Sequence, residues 1–196
     1  MSHYTRRDFF QFWRRLAPAA PAVADGETHA EAAAPAHPTA ERDDGLPGYL
    51  RPPGALAEAL FVATCDRSHE CIKACPYEAL LPLGEAYAAA QGTPVILPET
   101  HPCRLCSDLP CIAACPSGAL APTPLDEVSM GLARWSEENC ILTHGDLCTA
   151  CIAACPVSPV TLWTEGGRIV VDAERCTGCG MCVYACPTAP RSLTIG

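Results

Sequence analysis

The residues best suited to chemistry are four closely spaced cysteines near the end of the chain. They lie in the run Cys176-Thr177-Gly178-Cys179-Gly180-Met181-Cys182-Val183-Tyr184-Ala185-Cys186-Pro187. The spacing C-x2-C-x2-C-x3-C-P is typical of iron–sulfur ligation, because closely spaced thiolates can wrap around one cube of iron and sulfide. Gly178 and Gly180 permit the positive-φ turns that this wrapping needs. A zinc site usually carries two separated C-x2-C pairs, so the run predicts an iron–sulfur site.

This run is the last of four related segments. The pattern Cys-(Ile/Val)-x-Ala-Cys-Pro occurs at residues 71–76, 111–116, 151–156 and 182–187. The first three copies recur every 40 residues, and the last follows after 31. The alanine leaves room for an inorganic core, and the isoleucine or valine can pack beside it. A set of ordinary core helices would not explain the repeated Cys-Pro ending, so the repeat predicts four sites of one kind.

Upstream cysteines complete each copy and define four motifs. Motif one has Cys65, Ser68, Cys71 and Cys75; motif two has Cys103, Cys106, Cys111 and Cys115; motif three has Cys140, Cys148, Cys151 and Cys155; motif four has Cys176, Cys179, Cys182 and Cys186. The chain has 15 cysteines, an odd total that does not suit a disulfide scaffold. One more would fill every motif, and Ser68 stands where it is missing.

The motifs predict three [4Fe–4S] clusters and a fourth site that differs from them. A serine hydroxyl is a poor ligand until deprotonated, and its pKa lies far above that of a thiol. Three thiolates suffice for a [3Fe–4S] cluster, which is one expectation for motif one. The other is a labile [4Fe–4S] cluster held through oxygen, with Ser68 as ligand and the flanking Asp66 and His69 as substitutes.

Composition excludes several function classes. The formal net charge of −9 argues against nucleic acid as a partner. No stretch approaches the ~18 uninterrupted apolar residues of a membrane span, which leaves peripheral contact as the expected limit of membrane binding. The chain has neither a C-x3-C-x2-C radical signature nor a phosphate-cradling glycine loop. We therefore expect an electron carrier or a subunit of an oxidoreductase complex rather than an enzyme.

Residues 1–16 are expected to be either a docking helix or an export signal. The segment Thr5-Arg6-Arg7-Asp8-Phe9-Phe10-Gln11 is similar to a twin-arginine core, and Ala22-Val23-Ala24 offers a cleavage site. Arg14 and Arg15 interrupt the apolar stretch that a signal needs, which favours an amphipathic helix that docks on a partner or an anionic membrane surface. The expected location is cytoplasmic, with periplasmic by twin-arginine export as the alternative.

The remaining chain divides into a linker and a domain. Residues 17–50 are rich in Ala and Pro, carry six acidic residues against Arg42 alone, and are predicted to be disordered. Residues 51–196 are predicted to form an α+β domain of tandem dicluster modules like those of bacterial ferredoxins, with short helices and hairpins around the clusters. Among its β-prone runs, 160–164 and 168–172 flank Glu165-Gly166-Gly167, which predicts a hairpin.

Most of residues 51–196 resembles the ferredoxin-type subunits of periplasmic nitrate reductase systems and of methylamine utilisation, the NapG and MauM type. The matching stretches are 51–56, 75–77, 92–94, 102–120, 130–133 and 176–182. The resemblance implies four [4Fe–4S] clusters and a relay of single electrons between redox partners. For the NapG type these are a membrane quinol dehydrogenase subunit and a reductase. The alternative is a NapF-like accessory factor that binds a reductase apo-enzyme during maturation.

The resemblance also suggests how the motifs pair. In two-cluster ferredoxins the last cysteine of each motif ligates the cluster of the other motif. Likeness to other four-cluster electron-transfer subunits implies that motif one pairs with four and motif two with three. Cys75 and Cys186 would then cross between motifs one and four, and Cys115 and Cys155 between motifs two and three. Spacing alone leaves the pairing of one with two and three with four open.

Overall fold

The structure, a computed structural model, describes residues 48–196. The predicted docking or export segment (1–16) and the predicted linker as far as residue 47 lie outside the described residues. Tyr49 and Leu50 are buried, and Leu50 exchanges two backbone hydrogen bonds with Ile96. Among the residues described, no helix has the length and apolar character needed to cross a bilayer.

Within residues 48–196, five short α-helices accompany the cysteine motifs. They are α1 (Glu58–Thr64), α2 (Glu70–Ala74), α3 (Pro110–Ala113), α4 (Ala150–Ala154) and α5 (Met181–Ala185), with 3-10 turns at Glu85–Ala90, Leu125–Glu127 and Ile141–His144. Each of α2 to α5 begins one residue before the third ligand position of its motif. The residue before a proline avoids the helical region. Cys75, Cys155 and Cys186 are accordingly extended, with ψ of 111°, 120° and 123°, and their Cys-Pro pairs end α2, α4 and α5.

Six short strands in the same range form three antiparallel pairs. The pairs are β1 (Leu81–Pro82) with β2 (Pro94–Val95), β3 (Ala133–Trp135) with β6 (Leu193–Ile195), and β4 (Leu162–Glu165) with β5 (Arg168–Val171). The β4–β5 pair confirms the predicted hairpin. Gly166 and Gly167 have φ of 56° and 77°, the left-handed values that a two-residue turn between twisted strands requires.

The helices pack in two pairs, α2 against α3 and α4 against α5. The larger of two hydrophobic clusters in residues 48–196 runs through both pairs and includes most of the cysteines. Its fully buried side chains include Phe61, Ile96, Leu162 and Leu193. Short helices and antiparallel strands around buried cysteines agree with the predicted α+β, ferredoxin-like fold class.

Arg51 ties the start of the domain to this core. Its guanidinium is buried and forms an ion pair with Glu58 at 2.6 Å. It also donates hydrogen bonds to the Thr93 hydroxyl at 2.8 Å and the Pro94 carbonyl at 3.0 Å. The Arg51 Cζ lies 4.6 Å from the centre of the Phe61 ring, so cation–π attraction adds to these bonds. The network fixes α1 and β2 against each other beside motif one.

Candidate metal centres

The 15 cysteines gather into four groups, which we number by the motif that supplies most of each. Site I has Cys65, Cys71 and Cys115; site II has Cys75, Cys103, Cys106 and Cys111; site III has Cys140, Cys148, Cys151 and Cys186; site IV has Cys155, Cys176, Cys179 and Cys182. Sites I, II and III each surround a small cavity. At site IV, burial together with the nearby Cys155 and Cys176 raises the pKa of Cys179.

The pairing implied by likeness to other four-cluster subunits is wrong. Cys115 lies with motif one and Cys75 with motif two, so these two motifs exchange their last cysteines. Cys186 lies with motif three and Cys155 with motif four in the same way. The reason is the helix packing. Because α2 packs on α3 and α4 on α5, the cysteine that ends one helix reaches the loop that begins its neighbour.

Burial disfavours the thiolate form of several of these cysteines. It raises the pKa of Cys71, Cys111 and Cys151 to about 11 and that of Cys103 to about 12. A thiolate in such a place needs a compensating cation, and the iron ions of a cluster supply that charge. Among residues 48–196, no three His, Cys, Asp or Glu side chains close tightly enough to hold one metal ion. The donor sets of sites II, III and IV fit a four-iron cluster, since each offers four thiols.

Left-handed residues shape the loops that present these cysteines. Leu105 and Gly178 precede the second cysteine of motifs two and four, with φ of 53° and 68°. Leu109 and Gly180 are the N-cap residues of α3 and α5, with φ of 42° and 84°. Gly178 cannot be replaced easily, because an added Cβ would lie 2.6 Å from the backbone nitrogen of Gly131. These turns direct successive cysteines toward one centre.

Site I has three thiols and a loop of polar residues at its fourth corner. Asp66, Ser68 and His69 all line the cavity together with Cys65, Cys71 and Cys115. The Ser68 N–H donates to the Asp66 carboxylate at 3.1 Å, and the pKa of Asp66 is lowered by this bond. His69 Nε2 lies 2.9 Å from the Gly92 carbonyl oxygen.

Hydroxyl groups at sites I and III were not foreseen from the sequence. Burial alone would raise the pKa of Cys115, but hydrogen bonds from the Leu120 N–H and the Ser117 hydroxyl outweigh it and lower that pKa. The pKa of Cys186 is lowered in a similar way. Its sulfur lies 3.2 Å from the Thr188 Oγ1 and 3.4 Å from the Ser192 Oγ, and these bonds lower its pKa against the effect of burial. The signal in both cases is a serine or threonine two residues after the last cysteine of a motif.

Trp135 was also missed, and it supports the presence of a group at site III. Its ring lines the site III cavity, and its indole nitrogen is the one buried side-chain N or O atom without a hydrogen-bond partner among the described, non-exposed residues. A buried N–H of this kind is expected to find an acceptor. The sulfur atoms of a cluster at site III would supply one. The arrangement therefore fits an iron–sulfur group there.

The sites are joined in the order I, II, IV, III. Cys71 lies on α2 and Cys75 directly follows it, one helical turn later, so this helix connects site I to site II. Cys182 and Cys186 connect site IV to site III across α5 in the same way. The pair of sites I and II meets the pair of sites III and IV where the Cys103 N–H donates a hydrogen bond to the Cys179 carbonyl at 2.9 Å. Burial and the nearby Cys179 thiol also raise the pKa of Cys103. Sites II and IV are thus the inner members of the row.

Comparison with known proteins agrees with the chemistry of these sites. Residues 139–189 match the model of a 4Fe-4S dicluster domain, which takes in motifs three and four as one unit. No solved structure matches the chain.

Curated relatives cover most of the chain. It is 38% identical over 165 residues to the methylamine utilization ferredoxin-type protein MauM of Methylophilus methylotrophus, which spans 75% of this chain and 73% of the relative. It is 37% identical over 151 residues to the ferredoxin-type protein NapG of Escherichia coli, covering 70% and 65%. A shorter match, 33% identical over 88 residues, is to a tetrathionate reductase subunit of Archaeoglobus fulgidus, covering 42% of this chain and 41% of the relative. The chain therefore belongs to the MauM and NapG family of ferredoxin-type electron-transfer proteins and is an iron–sulfur protein.

Proposed function

We propose that this chain relays single electrons through four iron–sulfur clusters, one at each of sites I to IV, between two protein redox partners. The observation that carries the proposal is the continuous row of sites, closed at its centre by the hydrogen bond from Cys103 to Cys179. Iron–sulfur clusters take up and release one electron while their thiolate ligands stay in place. A row of them, joined by a helical turn within each pair and by this hydrogen bond between the pairs, can therefore pass electrons from one end to the other.

In this proposal all 15 cysteines are cluster ligands. Sites II, III and IV hold [4Fe–4S] clusters, and site I holds either a [3Fe–4S] cluster or a [4Fe–4S] cluster with one ligand that is not cysteine. Sites I and II form one dicluster module, and sites III and IV form a second in tandem. The dicluster match over residues 139–189 supports the second module.

The proposed partners are a quinol-oxidising membrane module and a reductase. Two similarities support this choice. The chain resembles the NapG type, for which the family implies such a relay, and it matches part of a protein named as a subunit of tetrathionate reductase. We propose a cytoplasmic location, with residues 1–16 as the docking segment. Replacement of Arg6 and Arg7 with lysine should then leave the location unchanged, whereas a twin-arginine export signal would lose its function.

The relay is tested by redox titration of the full chain under anaerobic conditions. Reversible one-electron steps at every cluster, followed by reoxidation without loss of iron, would support it. A NapF-like maturation factor would instead lose its clusters to an apo-enzyme. Incubation with a metal-free reductase, followed by iron analysis of both proteins after separation, distinguishes the two.

A further inference from the structure

We propose that Ser68 supplies the fourth ligand of the cluster at site I, rather than Asp66, His69 or no residue at all. The inference rests on the proposed function only in that site I holds a cluster. It concerns one iron corner, so it can fail while the other three sites remain as described.

The backbone of motif one follows that of motif four position by position. The two motifs have the same spacing, and Ser68 corresponds to Cys179. Arg67 has a φ of 58° where Gly178 has 68°, and His69 has 62° where Gly180 has 84°. The same left-handed turn precedes the second cysteine of motif two. Ser68 therefore stands in the loop where the other motifs place their second cysteine.

This conformation is unfavourable for Arg67 and His69. A residue with a Cβ loses roughly 1–2 kcal/mol in the left-handed region, which glycine enters freely. Strain of this kind persists where the surroundings over-determine the backbone, and it gathers at functional sites. Here both strained residues belong to the loop at the incomplete site.

Specific hydrogen bonds hold the strained loop in place. The Arg67 guanidinium donates to the carbonyls of Cys65 at 3.1 Å, Ala89 at 2.8 Å and Gln91 at 2.9 Å. His69 Nε2 lies 2.9 Å from the Gly92 carbonyl oxygen. These contacts fasten the motif-one loop to residues 89–92. The loop thus keeps the ligand-presenting turn although its central residue is a serine.

The two rival ligands are engaged elsewhere. The His69 ring nitrogen faces the Gly92 carbonyl, so this side chain serves as a clamp. The Asp66 carboxylate accepts the Ser68 N–H at 3.1 Å, so it is tied to the backbone of the loop. Ser68 is the residue that the loop offers to the corner.

Ligation at this corner is a substitution without electron transfer. The Oγ–H bond breaks, an Oγ–Fe bond forms, the proton passes to water, and the water molecule that otherwise fills the corner leaves. Ser68 is exposed whereas Cys179 is buried. Water can therefore compete for the iron at the fourth ligand position of site I, but not at site IV. The site I corner should therefore be the first to lose iron when the protein is exposed to air.

The test uses the full chain purified without air, with iron and sulfide analysis and electron paramagnetic resonance of the oxidised protein. Wild type and Ser68→Cys should both bind about 16 iron per chain and show no three-iron signal. Ser68→Ala should bind about 15 iron and show that signal. Asp66→Asn keeps an oxygen that can accept the Ser68 N–H, and His69→Asn tolerates the left-handed backbone, so each should lose less iron than Ser68→Ala. Cys179→Ser gives site IV the same donor set and should still bind about 16 iron.

Three results would overturn the inference. The first is a three-iron signal in wild type equal to that of Ser68→Ala. The second is iron loss in Asp66→Asn or His69→Asn with Ser68→Ala unaffected. The third is about 12 iron in wild type, meaning an empty site I. Should Ser68→Ala fail to fold, Mössbauer spectra of wild type decide, because one iron with an oxygen ligand should be present there and absent from Ser68→Cys. The absence of every cluster from the wild-type protein would instead refute the proposed relay.

Discussion

The inner sites II and IV differ from the outer sites I and III in what surrounds the cysteine that crosses between motifs. At the inner sites the sulfur of this cysteine accepts hydrogen bonds from backbone N–H groups. Cys75 accepts the Ala79 N–H at 3.3 Å, and Cys155 is likewise bonded by backbone N–H groups. The outer sites are completed by Cys115 and Cys186, and both of these sulfurs lie beside serine or threonine hydroxyls.

This difference has a consequence for electron transfer. Hydrogen bonds to cluster sulfur stabilise the added negative charge of the reduced form and so raise the reduction potential. Because the crossing cysteines of the outer sites have hydroxyl donors, we expect clusters I and III to have higher potentials than backbone donors alone would give. On the proposed relay, the inner pair would be the bridge, and the outer pair the places where electrons enter and leave.

The largest effect is expected from breaking the bridge at Cys75. Cys75→Ala removes the crossing ligand of site II, and site I should keep its three cysteines. We expect the site II cluster to become a three-iron cluster or to be lost, so that iron falls by about one to four atoms per chain and electron transfer between the outer clusters slows or stops. Stopped-flow reduction, followed by freeze-quench resonance spectra, measures this. Lys73→Ala is the control, because Lys73 lies on the same helix, is exposed and pairs only with Glu70 among the described residues. Retention of all clusters, with no loss of iron, in Cys75→Ala would contradict the assignment.

Next in size is the loss of the support beside site I. Arg51→Met removes the buried guanidinium, its ion pair with Glu58 and its hydrogen bonds to the Thr93 hydroxyl and the Pro94 carbonyl. We expect the free energy of unfolding to fall by about 3 kcal/mol, as for breaking a buried pair. Lys73→Met is the matched control, since its pair with Glu70 is mostly exposed and should contribute at most about 1 kcal/mol. Denaturant unfolding of both variants would show equal losses if the Arg51 network were unimportant.

A smaller effect should appear when the hydroxyls of one outer site are removed. Ser192→Ala and Thr188→Val together delete two hydroxyl neighbours of the Cys186 sulfur. Each lost bond is worth about 1 kcal/mol, or about 40 mV for a one-electron couple, so the potential of site III should fall by several tens of millivolts. Potentiometric titration measures it, with sites II and IV as internal references. A shift shared by all sites would break the contrast between inner and outer pairs.

The smallest effect concerns Trp135. Trp135→Phe keeps the ring in the site III cavity and removes the buried indole N–H that lacks a partner in the described structure. If that N–H donates to cluster sulfur, the potential of site III should fall by about 40 mV. The Trp163→Phe control changes a tryptophan on β4 that does not line that cavity. No change in Trp135→Phe would mean that the indole does not reach the cluster.

The sequence allowed the local features of this protein to be predicted. The four motifs, the short helices that accompany them and the hairpin at Gly166 and Gly167 all follow from patterns within at most 16 residues. The pairing could not be derived in this way. Spacing does not record which helix packs on which, and likeness to other four-cluster subunits suggested the wrong partners for Cys115 and Cys186.

Contacts between residues far apart in the sequence could not be predicted either. The bond from Arg51 to Thr93 joins residues 42 apart, and the β3–β6 pair brings Ala133 to Ile195. No periodicity in either segment indicates its partner. The orphan indole of Trp135 could be recognised only once the cavity beside it was seen.

The central claim is that the motifs exchange their last cysteines in two pairs, motif one with motif two and motif three with motif four. It is tested most directly by Cys186→Ala in the full chain, with site-resolved resonance spectra and iron analysis. The structure predicts that this variant loses or degrades the cluster at site III, held by Cys140, Cys148 and Cys151, while the site I signal, and its response to Ser68→Cys, stay unchanged. Loss of the site I cluster with site III intact would contradict the crossed pairs and restore the pairing of motif one with motif four.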